Sequence, residues 1–224
     1  MAVEAEMKLA LPVEHCAHAK QVIEVLAGGP GAPVRLLNVY FDTPALDLKR
    51  SRSALRVRLS GTRWLQTFKS GGGATGGLHR RHEWEMPVAG DALEGPPLIS
   101  AIEHDLASAT HDEYEALSAA LSSLRSAFPA LRPLFRTDFT RTLWNLAQGD
   151  DEIEIGLDEG DVIAGEGEAR KTLPILEIEL ELKRGSEAAL HRLAAQLSDQ
   201  IPGLAHDDVS KAQRGYRLID AERA

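Results

Sequence analysis

Cysteine is almost missing from this chain. Cys16 stands alone, so no internal disulfide can form, and a reducing, cytoplasmic setting is expected. Aromatic residues are scarce, with three tryptophans, three tyrosines and five phenylalanines in 224 residues. Recognition of a nucleobase or another flat group therefore has few platforms to draw on. No apolar run nears the roughly 20 residues of a membrane-spanning helix, and the opening residues lack the basic and apolar regions of a secretory leader. Positive charge is in deficit, with 25 Lys and Arg against 34 Asp and Glu and a formal charge of −9. That balance lacks the basic footprint of non-specific nucleic-acid binding. Neither a membrane nor a nucleic acid is expected as a partner. An anionic small ligand is not excluded, because local clustering sets the field inside a cleft.

The composition is otherwise ordinary for a globular protein, 43% hydrophobic and 26% charged. The distinctive feature is the placement of the charges. The opening stretch, Val3-Glu4-Ala5-Glu6-Met7-Lys8-Leu9, alternates. As a β-strand it puts Glu4, Glu6 and Lys8 on one face, roughly 7 Å apart, and Val3, Ala5, Met7 and Leu9 on the other. For one strand, a solvated mixed-charge face explains this pattern. The pattern recurs, however. Arg56 and Arg58 alternate with Leu55, Val57 and Leu59. Arg81, Glu83 and Glu85 share a face opposite Arg80, His82, Trp84 and Met86. Glu152 and Glu154 continue to Asp158, and Glu177, Glu179, Glu181 and Lys183 alternate with Leu176, Ile178, Leu180 and Leu182.

The rest of the chain reads as connections and helices. Helical spacing covers 13–26, stopped by Gly28-Gly29-Pro30-Gly31, and His15, Cys16 and His18 on it are too few for a zinc site without a second cluster. Further strands are expected at 35–43, 64–69 and 134–147. Arg136 is placed on the inner face of the last, which sends Arg141 outward. The run Ser70–Gly77 lacks the Gly-Lys-Ser/Thr and following helix of a phosphate-binding loop and reads as a flexible hairpin connection, and 160–167 reads as a turn region. Helices are expected at 98–109, at 112–128 with Tyr114, Leu117, Leu121 and Leu124 on its apolar stripe, and at 186–201. No linker divides the chain, so one domain of two similar halves is expected.

Two readings of the charged faces stay open. The strands can present one wet face on which charges pair across strands, which accounts for Lys183 beside Glu181. Alternatively, the faces meet around a polar lumen. Crowded carboxylates then call for a hard divalent cation on oxygen ligands. The arginines and lysines call for an anion that guanidinium forks can grip. A metal-chelated polyphosphate satisfies both sets, and hydrolysis of a phosphoanhydride is the simplest reaction there.

Several motifs occur in an order that resembles the CYTH superfamily of triphosphate tunnel metalloenzymes. They are Glu4-x-Glu6-x-Lys8, Asn38-x-Tyr40-Phe41-Asp42-Thr43, Leu55-Arg56-Val57-Arg58, Thr67-x-Lys69, Arg81-x-Glu83-x-Glu85, Phe135-Arg136, Leu157-Asp158-x-Gly160, Glu177-x-Glu179-x-Glu181 and Ser210-Lys211. Gly-Gly-Leu-His-Arg-Arg before Glu83 looks like the bacterial inorganic triphosphatase branch. The resemblance implies an α+β fold, an eight-stranded antiparallel β-barrel forming a tunnel with flanking helices. It implies a single such domain over 1–224, with no helical CHAD domain in the chain. It further implies Mg²⁺ or Mn²⁺ held by Glu4, Glu6 and Glu179, with Asp158 and Glu181 at a second metal or at the attacking water. Phosphates would be gripped by Lys8, Arg56, Arg58, Lys69, Arg81, Arg136, Lys211 and Arg214. Lys8, Lys69, Glu181 and Lys211 are the implied catalytic residues. The implied activity is hydrolysis of tripolyphosphate to pyrophosphate and phosphate by a monomer or homodimer. The alternatives are thiamine triphosphate hydrolysis, ATP cyclisation on the same site, or non-catalytic binding of polyphosphate or nucleotide.

Overall fold

The computed structural model describes residues 2–223 and the side chains of 4–220; Val3, expected on the apolar face of the first strand, has its side chain outside that range. The alternating sequences form the strands β1 (Ala2–Ala10), β2 (Ala32–Asp42), β3 (Ala54–Ser60), β4 (Arg63–Thr75), β5 (Leu78–Pro87), β6 (Arg132–Gln148), β7 (Asp151–Ala164) and β8 (Lys171–Arg184). They pair antiparallel in the order β5-β4-β3-β2-β6-β7-β8-β1, and β1 pairs again with β5, which closes the barrel. A two-residue strand, β9 (Ala205–His206), adds to the end of β1. Six helices flank the barrel among the described residues: α1 (Cys16–Ala27), α2 (Asp47–Arg50), α3 (Gly95–Ala107), α4 (His111–Ala127), α5 (Glu187–Gln200) and α6 (Lys211–Arg223). None is long and apolar enough to cross a membrane.

Two apolar layers cover the barrel outside. Met7, Leu9, Leu157, Ile178 and Leu180 pack under α1 and α5. Leu55, Phe68 and Trp84 pack under α3 and α4. The second layer places Trp84 on the outer face, as its parity requires, 5% exposed. Helix α4 starts on a capping box between Thr110 and Glu113 and buries Leu117, Leu121 and Leu124, whereas Tyr114 stays 53% exposed. Helix α1 ends at Gly28 with φ +75, the left-handed cap that glycine adopts without cost.

Two segments expected to be connections are strand. β4 runs through Gly71–Gly73 to Thr75, with an irregularity between Ser70 and Gly73, and the reversal is confined to Gly76-Gly77, both at positive φ. A Cβ on Gly72 would lie 1.7 Å from the Arg80 carbonyl oxygen, so the glycine run serves close strand approach. Likewise β7 continues past Gly160, where a Cβ would fall 2.3 Å from the Asp138 carbonyl oxygen, and turns only after Ala164.

The barrel interior is polar over only part of its length. Leu36, Tyr40, Phe135, Phe139, Val162 and Ile175 pack together with Tyr216, Leu218 and Ile219 of α6. Phe135 lies stacked on Tyr40 at 4.7 Å and edge-on to Tyr216 at 5.4 Å. Gly215 allows that approach, since a Cβ there would sit 2.1 Å from the Phe135 ring. A glycine inside a helix costs about 0.5–1 kcal/mol in propensity, so its presence in α6 is explained by the ring it faces. Gly215→Ala is expected to destabilise by about 1–3 kcal/mol through overpacking, read as a lowered denaturation midpoint with an unchanged slope.

Candidate functional site in the barrel lumen

Above this apolar floor the barrel encloses a cavity of about 560 Å³. Glu4, Glu6 and Lys8 from β1 line it, with Arg56 and Arg58 from β3, Lys69 from β4, and Arg81, Glu83 and Glu85 from β5. Arg141, Glu154, Glu179, Glu181, Lys183 and Lys211 complete its charged wall. Each strand contributes alternate residues, so period two in the sequence becomes a ring of charges around one space. The lumen reading therefore holds over the wet-face reading. Lys183, at the mouth, does make the expected pair with Glu181 at 2.6 Å.

The charges are matched in detail. Lys8, fully buried, donates to Glu177 at 2.7 Å and also to Glu179. Lys211 reaches in from the first turn of α6 and donates to Asp158 at 2.5 Å, Glu177 at 2.5 Å and Glu179 at 2.9 Å. Arg141 grips Asp158 with two bonds of 2.6 Å and also bonds Glu179. Lys69 bridges Glu4 at 2.6 Å and Glu83 at 2.8 Å, and Arg81 holds Glu6 at 2.5 Å. Arg56 is 4.0 Å from Glu85. Arg58 has no carboxylate within ion-pair distance among the described residues; its Nε donates to Asn38 at 2.7 Å. Burial, with Arg56 and Arg141 nearby, brings its guanidinium down to about 10.

The carboxylates split into two groups. Burial opposes ionisation of Glu179, but Arg141, Lys211 and Lys8 hold it well below the usual range. Burial and Glu179 likewise oppose ionisation of Glu6, yet Lys69, Lys8 and Arg81 bring it down to about 2. Glu4 goes the other way. Burial pushes it up to about 8 despite Lys69, with the hydrogen bond its protonated carboxyl donates to Glu83 and the charges of Glu6 and Glu83 adding to the rise. Glu4 is thus a buried carboxylate beside Glu6 and Glu83, an environment in which a nearby cation favours the charged form. Asp158, Glu177 and Glu179 also bring oxygen atoms within 4.8 Å of one another. Both sets offer oxygen donors only, which suit a hard divalent ion, but Asp158, Glu177 and Glu179 already hold Lys8, Lys211 and Arg141.

Three expected site residues need comment. Arg136 is exposed and Arg141 is inside: the two have opposite parity, as the sequence says, but the inner face of β6 is the one carrying Phe135, Phe139 and Arg141. The phenylalanines face inward because the lower lumen is an apolar seat for α6. Register supplies the missing signal, since Arg141 lies opposite Asp158. Arg214 does not line the lumen. It holds Glu177 and Asp207, each at 2.6 Å, from behind. Asp158 is fully buried behind the cavity wall, between Arg141 and Lys211. Glu177, absent from the expected metal set, belongs to this buried network.

His15, Cys16 and His18 do not converge on a common site. Cys16 lies 3.2 Å from Glu159, and His18 faces the Gln200 carbonyl at 2.9 Å. Burial and the Glu159 carboxylate push the Cys16 thiol up to about 11. Its alkylation by iodoacetamide at pH 8 is expected to run roughly tenfold or more slower than that of a free cysteine.

A closed antiparallel barrel with paired acids and bases around one interior cavity is a tunnel-type barrel. The family model for the CYTH domain matches residues 2–216, and the chain belongs to that family. An inorganic triphosphatase of Haemophilus influenzae is 29% identical over 225 residues, which cover 97% of this chain. The chain spans about half, 55%, of that relative's length. Among solved structures, an adenylyl cyclase candidate from Hippeastrum, described as having a dominant triphosphatase activity, aligns with TM-score 0.58 at 22% identity, covering 96% of this chain and 95% of that one. An adenylate cyclase candidate from Bacillus halodurans aligns with TM-score 0.56 at 20% identity, covering 95% and 96%. These two likenesses establish the shared barrel.

Truncating Arg141 leaves Asp158 and Glu179 buried with fewer cations. Arg141→Ala is expected to cost about 3–5 kcal/mol, whereas Arg136→Ala stays within about 0.5 kcal/mol. Urea unfolding of both variants checks the reassignment of β6.

Proposed function

We propose that this protein hydrolyses inorganic tripolyphosphate to pyrophosphate and orthophosphate, in the cytoplasm and with Mg²⁺ or Mn²⁺. The observation that carries the reading is the double complementarity of the lumen. Acids suited to a hard cation and bases suited to a phosphate chain share one cavity, and Arg58 in it has no carboxylate within ion-pair distance among the described residues. The named activity of the Haemophilus influenzae relative supports the same reading.

Glu4, Glu6 and Glu179 would hold the metal, with Glu181 beside them at the mouth. Bound there, a divalent ion supplies charge neutralisation and a more acidic water. Arg56 and Arg58 offer guanidinium forks to the phosphate oxygens. Lys8, Lys69, Arg81, Arg141 and Lys211 exchange carboxylate partners for phosphate ones, so the ligand enters a site whose cations are already fixed in place. A chain gripped along its length is oriented for in-line attack on a terminal phosphorus. The phosphoanhydride P–O bond breaks, its electron pair stays on the leaving oxygen, and the water proton passes to solvent or phosphate. Asp158, Glu177 and Arg214 position Lys211, Lys8 and Arg141 from behind.

A second reading keeps the site but takes an organic triphosphate. Val34, Leu36, Leu143 and Leu182 along the cavity wall favour it. Against it, Tyr40 is the sole aromatic residue among the described lining residues, and it is 5% exposed and stacked on Phe135. Phosphate release should be measured with tripolyphosphate, ATP, thiamine triphosphate and long polyphosphate, each with Mg²⁺ and Mn²⁺. Tripolyphosphate is expected to turn over fastest, and Glu4→Ala is expected to lower the rate by about 10²-fold or more while circular dichroism stays unchanged. Tight tripolyphosphate binding without turnover under either metal would instead make the protein a polyphosphate-binding module.

A further inference from the structure

A second cavity, of about 520 Å³, adjoins the lumen and shares the wall residues Ala54, Lys69, Arg81, Ser210 and Ala212 with it. Its chemistry differs. The carboxylates Glu4, Glu6, Glu83, Glu85, Glu179 and Glu181 line the lumen and do not line this vestibule. Lys49, Arg52, Arg80 and Arg217 do line it, beyond the shared Lys69 and Arg81. Its two acids are engaged. Asp220 accepts from Lys49 at 2.5 Å, and Asp208 accepts the Gly77 N–H at 2.7 Å. Arg80 is held by Glu187. Arg52 and Arg217 are exposed, and neither has a carboxylate within ion-pair distance among the described residues.

The backbone of Arg52 adds an independent observation. The Arg52 N–H bonds to the Lys49 carbonyl and the Ser53 N–H to the Leu48 carbonyl, which ends α2 with a left-handed residue. That residue has φ +55. Glycine is the usual occupant of such a cap, and any other residue is held there at a cost. An arginine in this position is explained if its guanidinium has work at the vestibule lip, because strained backbone persists where function requires the side chain.

We propose that the vestibule is an orthophosphate site on the product side of the lumen. The identity of the anion rests on the hydrolysis reading above. A metal-chelated polyphosphate needs walls of both signs and belongs in the lumen. A phosphate released from the metal needs a surplus of cations, and the vestibule sets Lys49, Arg52, Lys69, Arg80, Arg81 and Arg217 against Asp208 and Asp220. Lys69 and Arg81 face both cavities, so they can pass a phosphate from one to the other without leaving it unpaired. Arg52 and Arg217 receive it at the outer lip.

The test is titration calorimetry of orthophosphate into the full chain in EDTA, so that no divalent metal contributes. Wild-type protein is expected to bind phosphate. Arg52→Gly combined with Arg217→Ala is expected to weaken that binding at least tenfold without lowering the unfolding midpoint, while tripolyphosphate affinity stays within twofold. The lumen variant Arg58→Ala is expected to keep phosphate binding and to lose tripolyphosphate affinity. Phosphate binding that survives the lip variant but disappears in Arg58→Ala would place the ion in the lumen and overturn the proposal. Absence of phosphate binding to wild-type protein would also overturn it. Failure of the hydrolysis reading shows separately, as absent turnover in the phosphate-release assay.

Discussion

Everything in this molecule is arranged around a knot of buried opposite charges. Lys8, Lys211 and Arg141 meet Asp158, Glu177 and Glu179 where water cannot reach most of them. Each charge alone would be costly to desolvate, and removing one strands its partners. The knot ties together elements far apart in the chain: the first strand, the sixth to eighth strands and the final helix. It thus specifies barrel closure and the seat of α6 at once. On the proposed reading the same interactions would also prepare the chemistry, because cations held by carboxylates are already oriented for an anion.

Ligand binding in such a lumen is an exchange of partners. On the proposed reading, lysines and arginines would give up carboxylates for phosphate oxygens, and the freed carboxylates would take a cation. Neither half is favourable alone, since each strands charges of one sign. Metal and anion would then be coupled through the protein, each raising the affinity for the other by the same factor. The uneven distribution of countercharge gives the exchange a direction. Arg58 has only the Asn38 amide oxygen to give up and no carboxylate among the described residues, and a cation would favour the charged form of the buried Glu4.

Period two left open whether the charged faces were wet sheet faces or met in a lumen, the eight-stranded barrel being what the family resemblance implied. It identified the inner faces of β1, β3, β5 and β8 and most of the charged lining. It failed on β6. There the inner residues Phe135 and Phe139 look like an outer face, and only the packing of α6 into the barrel reveals why aromatics point inward. Arg214 was misread for a related reason. Three residues from Lys211 on the same helix, it faces the back of Glu177, a distinction that helical phase without a docking angle does not give. The glycines of β4 and of the turn that follows it show a third limit: glycine marks both turns and close strand approach, and only register separates them.

The closing strand has a consequence for how the molecule assembles. β1 is bonded to β5 on one side and to β8 on the other, with Glu6 opposite both His79 and Glu181. During synthesis its second edge has no mate until the chain beyond residue 180 has emerged, so the ring is sealed by a pairing of very high sequence separation. Topologies of that kind fold slowly, and an unpaired edge is a template for intermolecular pairing while it waits. The charges on β1 do double duty here: Glu4, Glu6 and Lys8 keep one face of the waiting strand soluble before they are enclosed.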